Sequence, residues 1–209
     1  MSAAVPNEAA ADAVPLALGA PFREADIRAL PLGASVAISG TIYTGRDRLH
    51  RHLFDGGATP IDLHDAALFH CGPVVVPANG GWRVVAAGPT TSMREEPYMA
   101  SIIVRHGVRV ILGKGGMGPA TQAACRDYGC IYVQVVGGAA AWIARCVQRV
   151  GRVWFEREFG ATEAMWEFTV AGLVGTVAID ATGASLFTDV ERQSESRLHA
   201  LLASSSEGR

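Results

Sequence analysis

The stretch from residue 88 to 118 constrains the fold more than any other. It opens with Gly88-Pro89-Thr90-Thr91-Ser92-Met93-Arg94. A helix-like segment from Glu95 to His106 and a strand-like run from Val108 to Leu112 follow. It closes with Gly113-Lys114-Gly115-Gly116-Met117-Gly118. Two loops poor in bulky side chains each carry one cation. If the helix packs on the strand, both loops open at the same edge of a sheet. Arg94 and Lys114 then face one small anion.

The flanking segments supply the rest of a layered domain. Ser35 to Ile42 alternates small polar and apolar residues, as a half-buried strand does. A short helix begins near Asp47, with Leu49 and Leu53 at i and i+4. Arg46 therefore sits at a strand-to-helix turn, where backbone amides point outward. Asp55-Gly56-Gly57 ends that helix. Ala66 to Cys71 and Val74 to Val76 read as strands, and Asn79-Gly80 turns the chain into a hairpin with Trp82 to Ala87. Pro119 to Tyr128 is a helix with proline in its first turn. Ile131 to Val136 is an apolar strand of the kind buried on both faces. An Ala-rich helix, Ala139 to Cys146, comes next. Val147 to Phe159 reads as strand with a break at Gly151, and Trp166 to Val170 and Thr176 to Asp180 as two final strands. Leu198, Leu201 and Leu202 make one weak helix in a polar, Ser-rich end.

This order predicts an α/β fold with a mixed sheet. Residues 1–30, interrupted by Pro6, Pro15 and Pro21, read as an N-terminal tail and docking segment. Residues 31–188 form the folded domain, and 189–209 a polar C-terminal tail.

Composition excludes several classes. Hydrophobic residues make up 49% and charged residues 18%, which is a globular rather than a disordered balance. A net charge of −2 argues against a nucleic-acid binder that works through a general basic field. No apolar run is long enough to span a bilayer. The first twenty residues lack the basic start and apolar core of a secretory signal, so the expected location is cytoplasmic. Cys71, Cys125, Cys130 and Cys146 form no Cys-x-x-Cys pair and read as buried free thiols, not as metal ligands.

Arg46, Arg94 and Lys114 each lie in a loop beside glycine or small hydroxyl residues. A guanidinium matches a carboxylate with two parallel hydrogen bonds, and lysine adds a compact charge. With the hydroxyls of Thr90, Thr91 and Ser92 between them, the three suit a small di- or tricarboxylate. The competing reading pairs the arginines with surface acids such as Asp47, Glu95 and Glu96. Gly113-x-Gly115-x-x-Gly118 also matches the dinucleotide fingerprint between a strand and a helix. The next strand ends Val133-Gln134-Val135-Val136, without the acid a ribose needs. Nucleotide binding, as in an NAD(P)-dependent oxidoreductase, is therefore the minor alternative. The amides of the helix after Gly118, with Lys114, suit a carboxylate equally well.

Five ordered motifs carry a resemblance. They are Thr44-Gly45-Arg46-Asp47-Arg48-Leu49-His50, Gly88 to Arg94, Ile111-Leu112-Gly113-Lys114-Gly115, Val136-Gly137-Gly138-Ala139-Ala140 and Glu163-Ala164-Met165-Trp166. Together they resemble the β subunit of L(+)-tartrate dehydratase and the C-terminal domain of class I fumarases, over roughly Gly33 to Phe187. The resemblance implies a swivelling β/β/α domain and a hydro-lyase acting on a small dicarboxylate such as fumarate, malate or tartrate. It implies a [4Fe-4S] cluster held by a partner α subunit, with one iron open to substrate and no metal bound by this chain alone. It implies α–β assemblies without nucleic acid or membrane partners. Carried over by position, Arg46, Thr91, Arg94, Lys114, Gly113 and Gly115 bind substrate, and Thr90 and Lys114 are catalytic. Asp47 would orient Arg46, and His50 and Glu163 would support the site. The family often has Met-Asp after the arginine of the Thr-Thr motif, where this chain has Glu95-Glu96. A protein of the same fold that binds a carboxylate or a partner without catalysis is the other alternative.

Overall fold

The computed structural model describes residues 14–78 and 80–206. Asn79 of the expected hairpin turn, and Pro6, Glu8 and Asp12 of the expected tail, lie outside the described residues.

Five strands run parallel: β1 (Leu16–Gly19), β2 (Ser35–Gly45), β3 (Ala67–His70), β6 (Val110–Gly113) and β7 (Ile131–Gln134). Their order is β1-β2-β3-β6-β7. A hairpin of β4 (Val74–Ala78) and β5 (Gly81–Ala86) intervenes in the chain between β3 and β6. The sheet is mixed because β9 (Met165–Ile179) runs antiparallel to both β2 and β7, and β8 (Val147–Trp154) runs antiparallel to β9.

The side chains explain the layering. Successive strand residues point to opposite faces. Ala67, Phe69, Val110, Leu112, Ile131 and Val133 point into one core with Trp166, Phe168, Val170 and Val177 of β9. Leu68, Ile111 and Tyr132 point into a second core. There they meet Leu49 and Leu53 of α2 (Asp47–Phe54) and Met99, Ile102 and Ile103 of α3 (Glu96–His106). Ala124 and Cys125 of α4 (Pro119–Tyr128) complete that side. The parallel sheet thus lies between an antiparallel layer and a helical layer. Each fully buried Leu, Ile or Phe contributes about 1.5–3 kcal/mol, so both faces are strongly specified.

Five details differ from the sequence reading. Residues 14–30 include β1, which extends the parallel sheet beside β2, and α1 (Glu24–Arg28). The two expected final strands are one 15-residue strand, because Leu173, Val174 and Gly175 continue the pairing with Ile38, Ala37 and Val36. Strand β8 stops at Trp154; Phe155 is left-handed and opens α6 (Glu156–Phe159). Phe155 and Phe159 then stack on each other and pack against His52 of α2. The weak helix expected around Leu198, Leu201 and Leu202 is part of a 21-residue helix, α7 (Leu186–Ser206). The Ala-rich helix, α5, is shorter than expected (Ala140–Ala144).

Helix α4 is capped from outside its own segment. The Glu96 carboxylate accepts from the amides of Gly118, Ala120 and Thr121 at 2.8, 3.1 and 3.2 Å, and from the Thr121 hydroxyl at 2.6 Å. A carboxylate at a helix start satisfies open amides and complements the dipole. Glu96→Ala is expected to lower unfolding free energy by about 1–3 kcal/mol, measured by urea denaturation.

Candidate active site

Parallel strands deliver their carboxyl ends to one edge, where α/β sheets commonly build sites. Arg46 follows β2, Cys71 follows β3, Lys114 follows β6 and Gly137 lies just beyond β7. The segment Gly88 to Glu95 lies across this edge. Its Thr90 amide donates to the His70 carbonyl at the end of β3, at 2.7 Å. Its Ser92 amide donates to the Lys114 carbonyl past β6, at 2.8 Å, and Thr91 pairs with Lys114 as a bridge. The two cation-bearing loops are thus stitched together, as the sequence spacing predicts.

Gly113 makes that crossing possible. A Cβ there would lie 1.8 Å from the Ser92 hydroxyl and 3.2 Å from the Tyr132 hydroxyl. Gly113 therefore serves as a close-approach point beneath Ser92 and is buried. The Gly115 amide donates to the Gln134 side chain at 3.2 Å. The Lys114 stem runs toward Gly137, where a Cβ would lie 3.4 Å from its Cδ. Lys114 is half-buried, Thr90 half-buried and Thr91 exposed.

The arginines have acidic partners within the chain. Arg46 Nε lies 3.5 Å from Glu163 Oε1, and the other Glu163 oxygen accepts from the Arg48 amide at 3.1 Å. Gly72 leaves room for Arg46, since a Cβ there would lie 2.8 Å from Arg46 Cδ. Arg94 pairs with Asp47, not with Glu95 or Glu96. The expectation that Asp47 orients Arg46 is corrected on this point: Asp47 opens α2 and reaches Arg94, while Glu163 holds Arg46. A guanidinium has five N–H donors, so one ion pair leaves others for a ligand. Arg94 is 55% exposed, which keeps its outer face accessible.

Beneath this edge lies a buried polar group that sequence reasoning largely missed. His50, His70, Ser92 and Glu95 are all 0% exposed. His50 Nδ1 lies 2.9 Å from the Arg46 carbonyl, which only accepts, so that nitrogen carries the proton. Its ring meets His70 edge-on at 4.8 Å. His70 Nδ1 lies 2.9 Å from the Ser92 hydroxyl, which also accepts from Tyr132 at 3.1 Å. The outer nitrogens of both histidines have no hydrogen-bond partner. Burial pushes His50 down to about 4 and, with His50 beside it, holds His70 well below the ordinary histidine value. Both rings are therefore neutral at physiological pH. Burial, followed by the Asp47 carboxylate, pushes the Glu95 carboxyl up to about 8. His70 and Tyr132 carry no sequence signal beyond strand residues. Glu95 looks like one of two adjacent surface acids, and only the 3-10 turn Ser92–Glu95 turns it inward.

The dinucleotide alternative meets a physical obstacle. The amides at the start of α4, where a pyrophosphate or a substrate carboxylate would sit, already hold the Glu96 carboxylate. The expectation that these amides hold a substrate carboxylate is corrected for the same reason. Among the described residues, no three His, Cys, Asp or Glu side chains form a metal-binding group. Cys71, Cys125 and Cys130 are buried free thiols, and Cys146 is half-buried. No helix among the described residues is long and apolar enough to cross a membrane.

Two outcomes follow for stability. Gly113→Ala is expected to expel Ser92 and lower both the melting temperature and any ligand affinity at this edge, tested by calorimetry. Glu95 has a folded value near 8 against an unfolded value near 4.5. The folded state then holds a proton that the unfolded state lacks between those values, so stability falls as pH rises through that window. Glu95→Gln is expected to match the parent near pH 4.5 and to exceed it increasingly up to about pH 8, measured by urea titration at each pH.

Comparison with known proteins places this edge in context. The family described as fumarase C-terminus matches residues 2–190. A Geobacillus stearothermophilus protein named for class I fumarate hydratase is 45% identical over 184 residues, covering 88% of this chain. This chain spans only 35% of that relative's length. A Methanocaldococcus jannaschii protein named for the beta subunit of L(+)-tartrate dehydratase is 34% identical over 182 residues, 85% of this chain and 93% of its own length. The L(+)-tartrate dehydratase subunit beta of Escherichia coli K12 is 35% identical over 150 residues, 71% of this chain and 74% of its own.

Proposed function

The chain belongs to the family of the fumarase C-terminus, and from that premise we propose that it is the beta part of a hydro-lyase acting on a small dicarboxylate. Fumarate and tartrate are the substrates that the relatives' names bring forward, and malate is the hydration product of the first. The observation that carries the reading is the stitched edge: Thr90, Thr91 and Arg94 held over β3 and β6, beside Lys114 and close to the Arg46 turn.

The described residues do not fit an iron–sulfur cluster, since their thiols are scattered and mostly buried. In this reading the [4Fe-4S] cluster belongs to a partner alpha subunit, and this chain supplies the other wall of the site. Its free thiols agree with a reducing compartment, the cytoplasm.

Dehydration breaks a C–H bond beside one carboxylate and a C–O bond on the neighbouring carbon. The electron pair of the first forms the double bond, and hydroxide leaves with a proton as water. Arg46 and Arg94 clamp the carboxylates through the donors that Glu163 and Asp47 leave open. Lys114 stabilises the negative charge that builds on the carboxylate next to the breaking C–H bond. Thr90, fixed by its amide to β3, passes the proton from the substrate carbon to solvent water at the open edge. A threonine hydroxyl is neutral and weakly basic, so it relays the proton and does not keep it.

Co-expression with a cluster-bearing alpha chain is expected to yield hydration of fumarate or dehydration of tartrate. Lys114→Ala should lower kcat by on the order of 100-fold, and Arg94→Ala should mainly raise KM. Activity untouched by both substitutions would remove the site. Tight dicarboxylate binding by this chain alone, with no turnover in the complex, would favour the non-catalytic alternative.

A further inference from the structure

Among the described residues Glu95 is the most deeply buried acid, and unlike Glu167 and Asp180 it has no hydrogen-bond partner. Its side chain is fully enclosed, and neither carboxyl oxygen makes a well-formed hydrogen bond. An uncompensated buried carboxyl is destabilising, and an apolar side chain of the same length would fill the volume without that penalty.

The neighbours of Glu95 all belong to the candidate site. From α2, His50 Nδ1 lies 3.6 Å from Glu95 Oε2, and the Asp47 carboxylate acts on the Glu95 carboxyl to disfavour its charged form. From its own turn, Arg94 reaches past it to Asp47. From the segment before β9, Glu163 faces the same region while holding Arg46. The neutral His50 has its proton engaged with the Arg46 carbonyl, so it does not neutralise an ionised Glu95. Three carboxyl groups therefore share two guanidinium groups. The charges balance only when one of the three is protonated, and the most enclosed one is Glu95.

Resting on the dicarboxylate reading, we propose that Glu95 is a positioning residue: as a neutral acid it braces Asp47, which aims the Arg94 guanidinium at a substrate carboxylate. Ionised Glu95 repels Asp47 and competes for Arg94 from the inside. Arg94 then turns away from the substrate, so ground-state binding weakens before the chemical step does. The elevated Glu95 value of about 8 places this loss on the alkaline side.

The test uses the complex assembled by co-expression, with parent, Glu95→Gln and Glu95→Met proteins, both substitutions being close in size. Steady-state kinetics with fumarate from pH 6 to 9.5 separate KM from kcat. In the parent, KM is expected to rise above pH 8 by about tenfold per pH unit, with kcat much less affected. Glu95→Gln stays neutral and still donates, so its KM should remain low and flat. Glu95→Met should be flat in pH but raised several-fold throughout, because Asp47 loses its brace. A Glu95→Gln profile that keeps the alkaline rise, or a Glu95→Met KM equal to that of the parent at pH 7, would overturn the proposal. Infrared difference spectra of the full chain at pH 7 give an independent readout. The carbonyl stretch of a protonated acid should be present in the parent and missing from Glu95→Gln, and its absence from the parent would overturn the proposal without reference to turnover. Failure of the dicarboxylate reading itself would show separately, as a complex without hydro-lyase activity.

Discussion

The candidate site depends on one backbone crossing. The segment after the β4–β5 hairpin lies over the ends of two parallel strands, held by the Thr90 amide on His70 and the Ser92 amide on Lys114. Backbone groups at strand ends need partners, and here a loop supplies them. The crossing brings two cations from distant parts of the chain to one edge without any direct contact between them. It also forces Ser92 inward, where the missing side chain of Gly113 leaves room for it. Position and chemistry are thus set by main-chain bonds, and the charged side chains need only extend outward from a fixed base.

A second consequence lies below the surface. Ser92, His70, His50 and Glu95 form a buried polar layer between the open edge and the helical core. Burial keeps the histidines neutral and raises the carboxyl. Polar groups in such surroundings are sensitive to each added charge. The surface pairs Arg46–Glu163 and Arg94–Asp47 therefore stand on a foundation whose protonation state matters to them.

Much of this was legible in the sequence. The apolar runs at Val110 and Ile131, each followed by glycines, identify buried strands, and Lys114 stands at the carboxyl end of the first. The five motifs locate Arg46, Thr90, Arg94 and Lys114. Other features depend on contacts that lie far apart in the chain. Residues 171–175 separate the two strands expected from the sequence, yet Leu173, Val174 and Gly175 resume the pairing with β2 after a register shift, and β9 is one strand. Asp47 is adjacent to Arg46 in sequence but opens a helix, which turns it toward Arg94. Glu95 and Glu96 are neighbours with opposite fates. One enters the core, and the other reaches across to cap α4. Single-residue patterns contain nothing that separates them, because the junction of a 3-10 turn and a helix decides which way each points.

The long pairing between β2 and β9 has a mechanical meaning. It extends from Ser35 opposite Thr176 to Tyr43 opposite Glu167, and the same two strands belong to the parallel and antiparallel layers. A ribbon shared in this way acts as a keel. Hinging one layer against the other would break the pairing on both sides of its register shift at Ile38 and Gly40, so the cation-bearing edge has little freedom to reshape from within. In the proposed hydro-lyase, admission and release of a ligand then fall to displacement of the whole body against the partner wall, with the loops of Arg46, Arg94 and Lys114 travelling as fixed cargo.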